Sequence, residues 1–289
     1  MSDPFRIEGP AVLSISGGRT SGYMLWRILQ AHGGKLPDDV RVIFANTGKE
    51  MPETLDFVRD MGERWGVPFT WVEYRTKTAE GKNHAIVDWN NASRQGEPYA
   101  ALIEDRKYLP NPFARFCTSE LKVRPMHRII RGWGWDSWLV CVGIRADEPR
   151  RIARIRARPS DETNDETRIM PLVDGGVAVG EVLAFWKAHD FDLKLPVNAQ
   201  GNTTHGNCDL CFLKKHDHLL SMIREEPRRA LWWIEQEKKV TAIGSARKDS
   251  GARFRMDRPS YAKLHEIALS QGEMFDYGDE PLQDCMCVD

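Results

Sequence analysis

The stretch Val12-Leu13-Ser14-Ile15-Ser16-Gly17-Gly18-Arg19-Thr20-Ser21-Gly22-Tyr23-Met24-Leu25 decides the fold. Val12, Leu13 and Ile15 read as a short buried strand, Ser16-Gly17-Gly18 as a turn, and the residues from about Thr20 as a helix. Two adjacent glycines let the backbone turn sharply and approach a ligand with no Cβ in the way. The Ser and Thr hydroxyls, the first helical N–H groups and the positive end of the helix dipole then converge on one spot, which suits an anion. The same residues also make an ordinary strand–helix turn capped by Ser or Thr. Only the rest of the chain decides between the two.

Downstream the pattern repeats. Pro37-Asp38-Asp39 marks a turn, Val40 to Ala45 a second strand, and Asn46-Thr47-Gly48 another polar turn containing glycine. Pro52-Glu53 opens a helix to about Trp65, with Leu55, Val58, Met61 and Trp65 on one face. Gly66-Val67-Pro68 stops it, and Phe69 to Tyr74 reads as a third strand. Strand alternating with helix implies parallel strands joined by right-handed crossovers, and ligands in such sheets sit at the carboxyl ends of the strands. Both polar turns fall on that edge. The expected fold is therefore α/β, a doubly wound and mostly parallel sheet. Residues 1–200 form its nucleotide-binding domain, and 201–289 a helical, cysteine-bearing extension.

Later segments are less regular. Residues 76–112 are polar with scattered aromatics and read as an irregular or partly helical excursion. Cys117 to His127 leads into a helix, and Trp138 to Gly143 is a buried strand. An arginine-dense segment comes next, then an acidic stretch from Ser160 to Thr167 that reads as a surface loop. Val179 to His189 is a helix carrying Val182, Leu183, Phe185 and Trp186. Two more helices are expected around His216 to Glu225 and Arg228 to Lys238.

The bulk properties exclude several classes. With 289 residues, 41% apolar and 29% charged, the chain has the composition of a folded protein and not of a disordered one. A net charge of −1 argues against a general coat for nucleic acid or membrane, while leaving local basic patches open. No apolar run approaches bilayer length, and Met1 to Arg6 lacks the apolar core of a signal peptide. A cytoplasmic location without membrane partners is expected, where six cysteines are thiols or ligands more often than disulfides.

Five segments, in order from about residue 11 to 211, together carry a family resemblance. Ser16-Gly17-Gly18-Arg19-Thr20-Ser21 resembles a Ser-Gly-Gly-x-Asp-Ser loop with Thr20 in place of Asp. Phe44 to Thr54 resembles a strand ending in Asp-Thr-Gly and then Pro-Glu-Thr, with Asn46 in place of Asp. Cys117 to Pro125 resembles Cys-x-x-x-x-Lys-x-x-Pro, and Gly143 to Glu148 resembles Gly-x-Arg-x-x-Glu. Met170-Pro171-Leu172, before a Trp-containing helix, resembles the fifth. These are the motifs of the phosphoadenosine-phosphosulfate (PAPS) reductase family, within the adenine-nucleotide alpha-hydrolase or PP-loop superfamily.

The resemblance implies roles. Ser16, Gly17, Gly18, Thr20 and Ser21 would hold the phosphates of an adenine nucleotide through N–H groups and hydroxyls. Asn46, Thr47, Gly48 and Gly143 would complete its site. Lys122 and Arg145 would neutralise phosphate or sulfate oxygens, Lys as a point charge and Arg through its fork. Taken alone, Lys122 is an ordinary solvated lysine, whereas Arg145 directly follows a buried strand and a glycine. Mg²⁺ is a further candidate, although Thr20 and Asn46 remove two carboxylates from where it would sit. Arg150, Arg151, Arg154, Arg156 and Arg158 suit either a polyanion or, more commonly, a solvated helical face, so nucleic acid is the minority partner.

The cysteines read on two levels. By spacing, Cys208-x-x-Cys211 suits zinc, an iron–sulfur cluster or a redox pair. By resemblance, Cys117, Cys208 and Cys211 would be three ligands of a [4Fe-4S] cluster, with Cys285, Cys287 or His205 as the fourth and zinc as the alternative metal. Cys141 lies in an apolar strand and reads as a plain buried cysteine. Cys285 also stands where the family's nucleophilic cysteine is expected, beside Asp284, which would not lower its pKa.

The motifs support two enzymatic readings and one other. In the first, a sulfonucleotide, PAPS or APS, is attacked at sulfur by a cysteine and reduced with a thiol partner. In the second, ATP activates an acceptor whose adenylate is replaced by sulfur from a donor, as in tRNA thiolation or DNA phosphorothioation. The third reading is a non-catalytic nucleotide or metal sensor. The sequence leaves homo-oligomerisation open.

Overall fold

The computed structural model describes residues 3–76, 83–157, 165–206, 208–244 and 251–270. Its centre is a six-stranded sheet in the order β4-β3-β2-β1-β5-β6. The strands are β1 Ala11–Ile15, β2 Val40–Asn46, β3 Phe69–Tyr74, β4 His84–Val87, β5 Trp138–Val142 and β6 Glu166–Ile169. All neighbouring pairs run parallel except β3 and β4. This is the doubly wound α/β sheet that the strand–helix alternation predicts.

Period-two alternation assigns each strand residue to one of two cores. Ala11, Leu13 and Ile15 of β1, with Val42 and Phe44 of β2, face one apolar cluster. Val12, Ile43, Ala45, Val72, Val140 and Val142 face the other. Buried on both faces, the inner strands read as nearly unbroken apolar runs. Helices α1 Arg19–Ala31 and α2 Pro52–Trp65 cover the first face. Pro52 starts α2, and Gly66 ends it in the left-handed conformation at φ 64°.

The second face is covered from later in the chain. After α3 Glu97–Arg106, the one-turn α4 Phe116–Thr118 runs through a π turn, Ser119–Val123, into α5 Arg124–Gly132. Met126, Ile129 and Ile130 of α5 and Ile152 and Ile155 of α6 Pro149–Ala157 pack on the sheet. Past the short α7 Pro171–Asp174, α8 Val179–Ala188 returns to the first face. Its Trp186 donates from Nε1 to the Arg19 carbonyl at 2.8 Å and packs edge-on to Phe57 at 4.8 Å.

Helices α9 His216–Glu225, α10 Arg229–Ala242 and α11 Tyr261–Ser270 form a third core around Trp233, which stacks on Tyr261. Tyr74, Tyr99 and Leu121 join this core, so it is continuous with the sheet domain. Among the described residues no helix is long and apolar enough to cross a membrane.

Two segments differ from the sequence reading. The acidic stretch expected as a loop through Thr167 gives up its end to β6, where Glu166 pairs with Trp138. A carboxylate is tolerated there because His127 and Arg168 meet it, both at 2.7 Å. Within 76–112 the chain builds the edge strand β4 and the helix α3. Ile86 of β4 is exposed, which hides the alternation that marks an inner strand.

Glu237 ties the extension together by accepting N–H bonds from Phe254 at 3.3 Å and Tyr261 at 2.8 Å. Burial outweighs those bonds and pushes its pKa up to about 7. The folded state therefore keeps this proton over a range in which the unfolded chain loses it. Stability should fall as pH rises between about 4.5 and 7, by roughly 3 kcal/mol in all. Denaturant unfolding at pH 5 and pH 8 checks this: the wild-type advantage over Glu237→Gln should shrink with pH, and a constant difference would contradict it.

Candidate functional site

The chain leaves β1, fills one side of the sheet through β2 and β3, and returns to β1's other side as β5. Connections from β1 and β5 thus diverge, opening a crevice at their carboxyl ends. A cavity of about 210 Å³ occupies it, lined by Ser16, Gly17, Gly18, Thr20, Gly143 and Arg145 among others.

The loop after β1 shapes itself. Ser21 Oγ donates to the Gly18 carbonyl at 2.9 Å and accepts from the Ser16 N–H at 3.2 Å. Ser21 is accordingly buried and closes the loop instead of lining the cavity. Gly17 has φ +77°, and a Cβ there would stand 2.3 Å from Thr54 Cγ2, so α2 packs directly on the turn. Arg19, also on the lining, is committed to the rim: it holds Asp192 at 2.7 and 2.8 Å and Thr203 at 3.2 Å.

The opposite wall begins at Gly143. A Cβ there would lie 2.9 Å from Ser21 Cα, so only glycine lets β5 pass this close under the first turn of α1. Two residues on, Arg145 Nη1 donates to Thr20 Oγ1 at 3.2 Å. Its Nε donates to Asp147 at 2.8 Å, and Glu148 lies 3.8 Å from Nη1. Glu148 also holds Arg151 at 2.6 Å and so presents both guanidinium groups along one wall. The position usually held by Asp in the loop motif here offers a hydroxyl to an arginine.

Lys122 enters through the π turn, a distortion frequent at functional sites because it re-aims side chains. Lys122, Met126 and His127 all line the cavity. Beside them lies a cluster absent from the sequence reading: Glu166 accepts from Arg168 Nε on one oxygen and pairs with His127 Nε2 on the other. Burial alone would raise the Glu166 pKa, but His127 and Arg168 outweigh it and hold the carboxyl below its usual range. The one signal for this cluster was Glu166 and Arg168 at alternate positions, on the same side of a strand.

Asn46, Thr47 and Gly48 lie off the cavity lining. Asn46 is fully buried, donates to Glu73 at 2.6 Å and to the Ser93 carbonyl at 2.8 Å, and accepts from the Gly48 N–H at 3.0 Å. Thr47 instead reaches the cysteines, with Oγ1 3.4 Å from Cys208 Sγ. Cys208 to Cys211 is a tight turn with Leu210 at φ 46° and a Cys211 N–H bond to the Cys208 carbonyl at 3.2 Å.

Cys117, Cys208 and Cys211 come together around Tyr99, whose hydroxyl hydrogen-bonds the Cys117 sulfur. Burial raises the Tyr99 pKa well above its ordinary value, and the three neighbouring thiols push it the same way. Soft thiolate donors suit an iron–sulfur group or zinc. Among the described residues no three His, Cys, Asp or Glu side chains close on a single ion. His205 has both ring nitrogens paired, to Thr204 Oγ1 at 2.8 Å and Glu225 Oε2 at 2.7 Å. Cys141 is buried in the sheet, which pushes its thiol pKa up. None of the four described cysteines is in a disulfide, and Cys285 and Cys287 lie outside the described residues.

The family model for the phosphoadenosine phosphosulfate reductase domain matches residues 10–206. The uncharacterized nin region protein ORF290 of Escherichia phage lambda is 31% identical over 216 residues, 70% of this chain and 66% of that protein. Protein MJ0066 of Methanocaldococcus jannaschii is 29% identical over 143 residues, half of this chain and 24% of that protein. The chain thus spans just under two thirds of the first relative's length and about a quarter of the second's. Among solved structures, the PAPS reductase of Candida auris in a phosphate complex shares 18% identity at a TM-score of 0.38, covering 62% of this chain and 72% of that one. The U34-tRNA thiolase NcsA of Methanococcus maripaludis, with its [4Fe-4S] cluster, shares 12% identity at a TM-score of 0.39, covering 89% and 80%.

The two loop glycines should differ sharply on substitution. Gly17→Ala forces a left-handed residue against Thr54 and should cost about 2–3 kcal/mol in urea unfolding. Gly18→Ala, whose Cβ would meet nothing nearer than Ser16 Oγ at 3.6 Å, should stay within about 0.5 kcal/mol of wild type. Equal losses would show that the turn is not built as described.

Proposed function

The chain belongs to the phosphoadenosine phosphosulfate reductase domain family, and from that premise we propose that its cavity binds an adenine nucleotide. The protein is then an enzyme acting at the nucleotide's α-phosphate in sulfur reduction or transfer. The observation that carries this reading is the Arg145–Thr20 hydrogen bond, which sets a guanidinium across the first turn of α1 at the sheet's switch point. An anion there meets backbone N–H groups on one side and a fixed cation on the other.

A sulfonucleotide fits the charge pattern best. The wall offers Lys122, Arg145, Arg151 and Arg168, while the cavity's carboxylate, Glu166, already has both oxygens paired. Charge on the ligand is met by cations of the chain, and a carboxylate with an oxygen to spare for Mg²⁺ is not among the lining residues. In this reading a cysteine thiolate, with Cys285 the candidate, attacks the sulfonucleotide sulfur. The S–O bond to the α-phosphate breaks, the nucleoside phosphate leaves with that electron pair, and the sulfonate stays on the cysteine. A thiol partner then releases sulfite and becomes oxidised to a disulfide. Arg145 and Lys122 stabilise the negative charge on the departing phosphate.

An ATP-dependent sulfurtransferase is the second reading, favoured by the intact Ser16-Gly17-Gly18 turn, which suits a pyrophosphate. Cys117, Cys208 and Cys211 would hold a [4Fe-4S] cluster, which supplies redox or sulfur-binding chemistry when present. The donor chemistry fits such a group: Cys208 and Cys211 belong to the buried core that contains Tyr99, Cys117 packs against it, and none of the three is in a disulfide.

Anaerobically purified protein incubated with ATP, APS and PAPS, each in the presence of a reduced thiol, separates the readings. Sulfite from APS or PAPS supports the first and pyrophosphate from ATP the second, while no product from any of the three would remove the enzymatic claim. Arg145→Gln should weaken binding of the active nucleotide about 10–100-fold, the value of a charge-assisted hydrogen bond. Unchanged affinity by calorimetry would remove Arg145 from the site.

A further inference from the structure

Glu50 is almost completely buried, its side chain 1% exposed. Oε1 accepts from Thr47 Oγ1 at 3.1 Å and pairs with Lys122 Nζ at 3.4 Å. Oε2 is buried and has no hydrogen-bond partner. A carboxylate oxygen taken from water and given no donor is costly to keep, so an orphan of this kind needs a reason.

The surroundings supply one. Thr47 Oγ1, which donates to Glu50, is also 3.4 Å from Cys208 Sγ, so carboxylate and thiol stand two hydrogen-bond lengths apart across one hydroxyl. The main chains of Glu50 and Cys208 pair as an antiparallel bridge, and the Asp209 N–H donates to the Lys49 carbonyl at 2.6 Å. Glu50 is therefore fixed to the same tight turn that carries Cys208 and Cys211. On its other side, Lys122 lies in the π turn that directly follows Cys117 and α4. Among the described residues no three such side chains close on a single ion, so a group held here would have to be a larger body such as an iron–sulfur cluster.

We propose that Glu50 is the fourth protein donor to the group held by Cys117, Cys208 and Cys211, with Oε2 as the ligand atom. This rests on the cluster reading given above. It takes the place of His205, whose ring nitrogens are both paired, and makes the tail cysteines unnecessary for the cluster. A hard oxygen donor leaves one iron less firmly held than the three bound by thiolates. Lys122 touches the same carboxylate and lines the nucleotide cavity, so the two centres share one residue pair.

The full-length chain, reconstituted anaerobically with ferrous iron and sulfide, provides the test. Iron per chain and electron paramagnetic resonance are read before and after mild ferricyanide oxidation. The double variant Cys285→Ser/Cys287→Ser should match wild type in both. Glu50→Gln should lose about one iron in four on oxidation and show the signal of a three-iron cluster. Glu50→Cys should restore the full iron content with a shifted spectrum, which separates a lost ligand from a damaged fold. A Glu50→Gln protein that keeps its fourth iron, beside a tail variant that loses it, overturns the proposal and leaves the cluster reading standing. A wild-type chain that takes up no iron overturns the cluster reading itself.

Discussion

The approach of β5 to the first turn of α1 is the contact on which the rest depends. Gly143 passes so near Ser21 that a single added carbon would collide with the helix backbone. Because of that contact, Arg145 emerges opposite Thr20 and meets the glycine turn from across the crevice. Had β5 paired farther out in the sheet, the same arginine would face solvent and the turn would be an ordinary strand–helix connection. The parallel pairing of β1 with both β2 and β5 thus converts a local motif into a site.

Around that contact, cations are held by acids that are themselves buried. Glu148 fixes Arg145 and Arg151, Glu166 fixes Arg168, and Glu50 holds Lys122. Each pairing lowers the cost of placing a positive charge in a partly enclosed wall and restricts the rotamers the side chain can adopt. The wall is ordered before any ligand arrives, which favours binding by reducing what must be ordered later. The overall charge of −1 conceals this, since the same acids that position the cations cancel them in the sum.

The cysteine group is joined to the cavity through few residues. Thr47 leaves β2 beside the cavity floor and ends at Cys208. Arg19 holds Thr203 on the rim, and His205, two residues later, is paired with Glu225 of α9. His218 of α9 donates to the Thr204 carbonyl, with burial and then the Lys214 charge lowering its pKa to about 4, so it stays neutral as a fixed donor. The rim of one centre is thereby anchored to the helices that enclose the other.

Much of this was legible in the chain. Val12 to Leu25 specifies strand, glycine turn and helix because its periodicity and its small residues leave few other conformations. Pro52 and Gly66 bound α2 to the residue, and the order of segments marks Gly143 and Arg145 as neighbours of the turn. What the sequence could not specify were encounters between distant residues of ordinary type. Glu166 looked like part of a solvated acidic loop until β6 set it between His127 and Arg168. Thr47 came after a strand end and was expected at the nucleotide, whereas its contact with Cys208, beside the bridge from Glu50, draws it to the cysteines. Local periodicity and turn chemistry act within a few residues and are written in the chain. Which buried charge meets which partner depends on strand order and helix docking, and only the tertiary structure decided that.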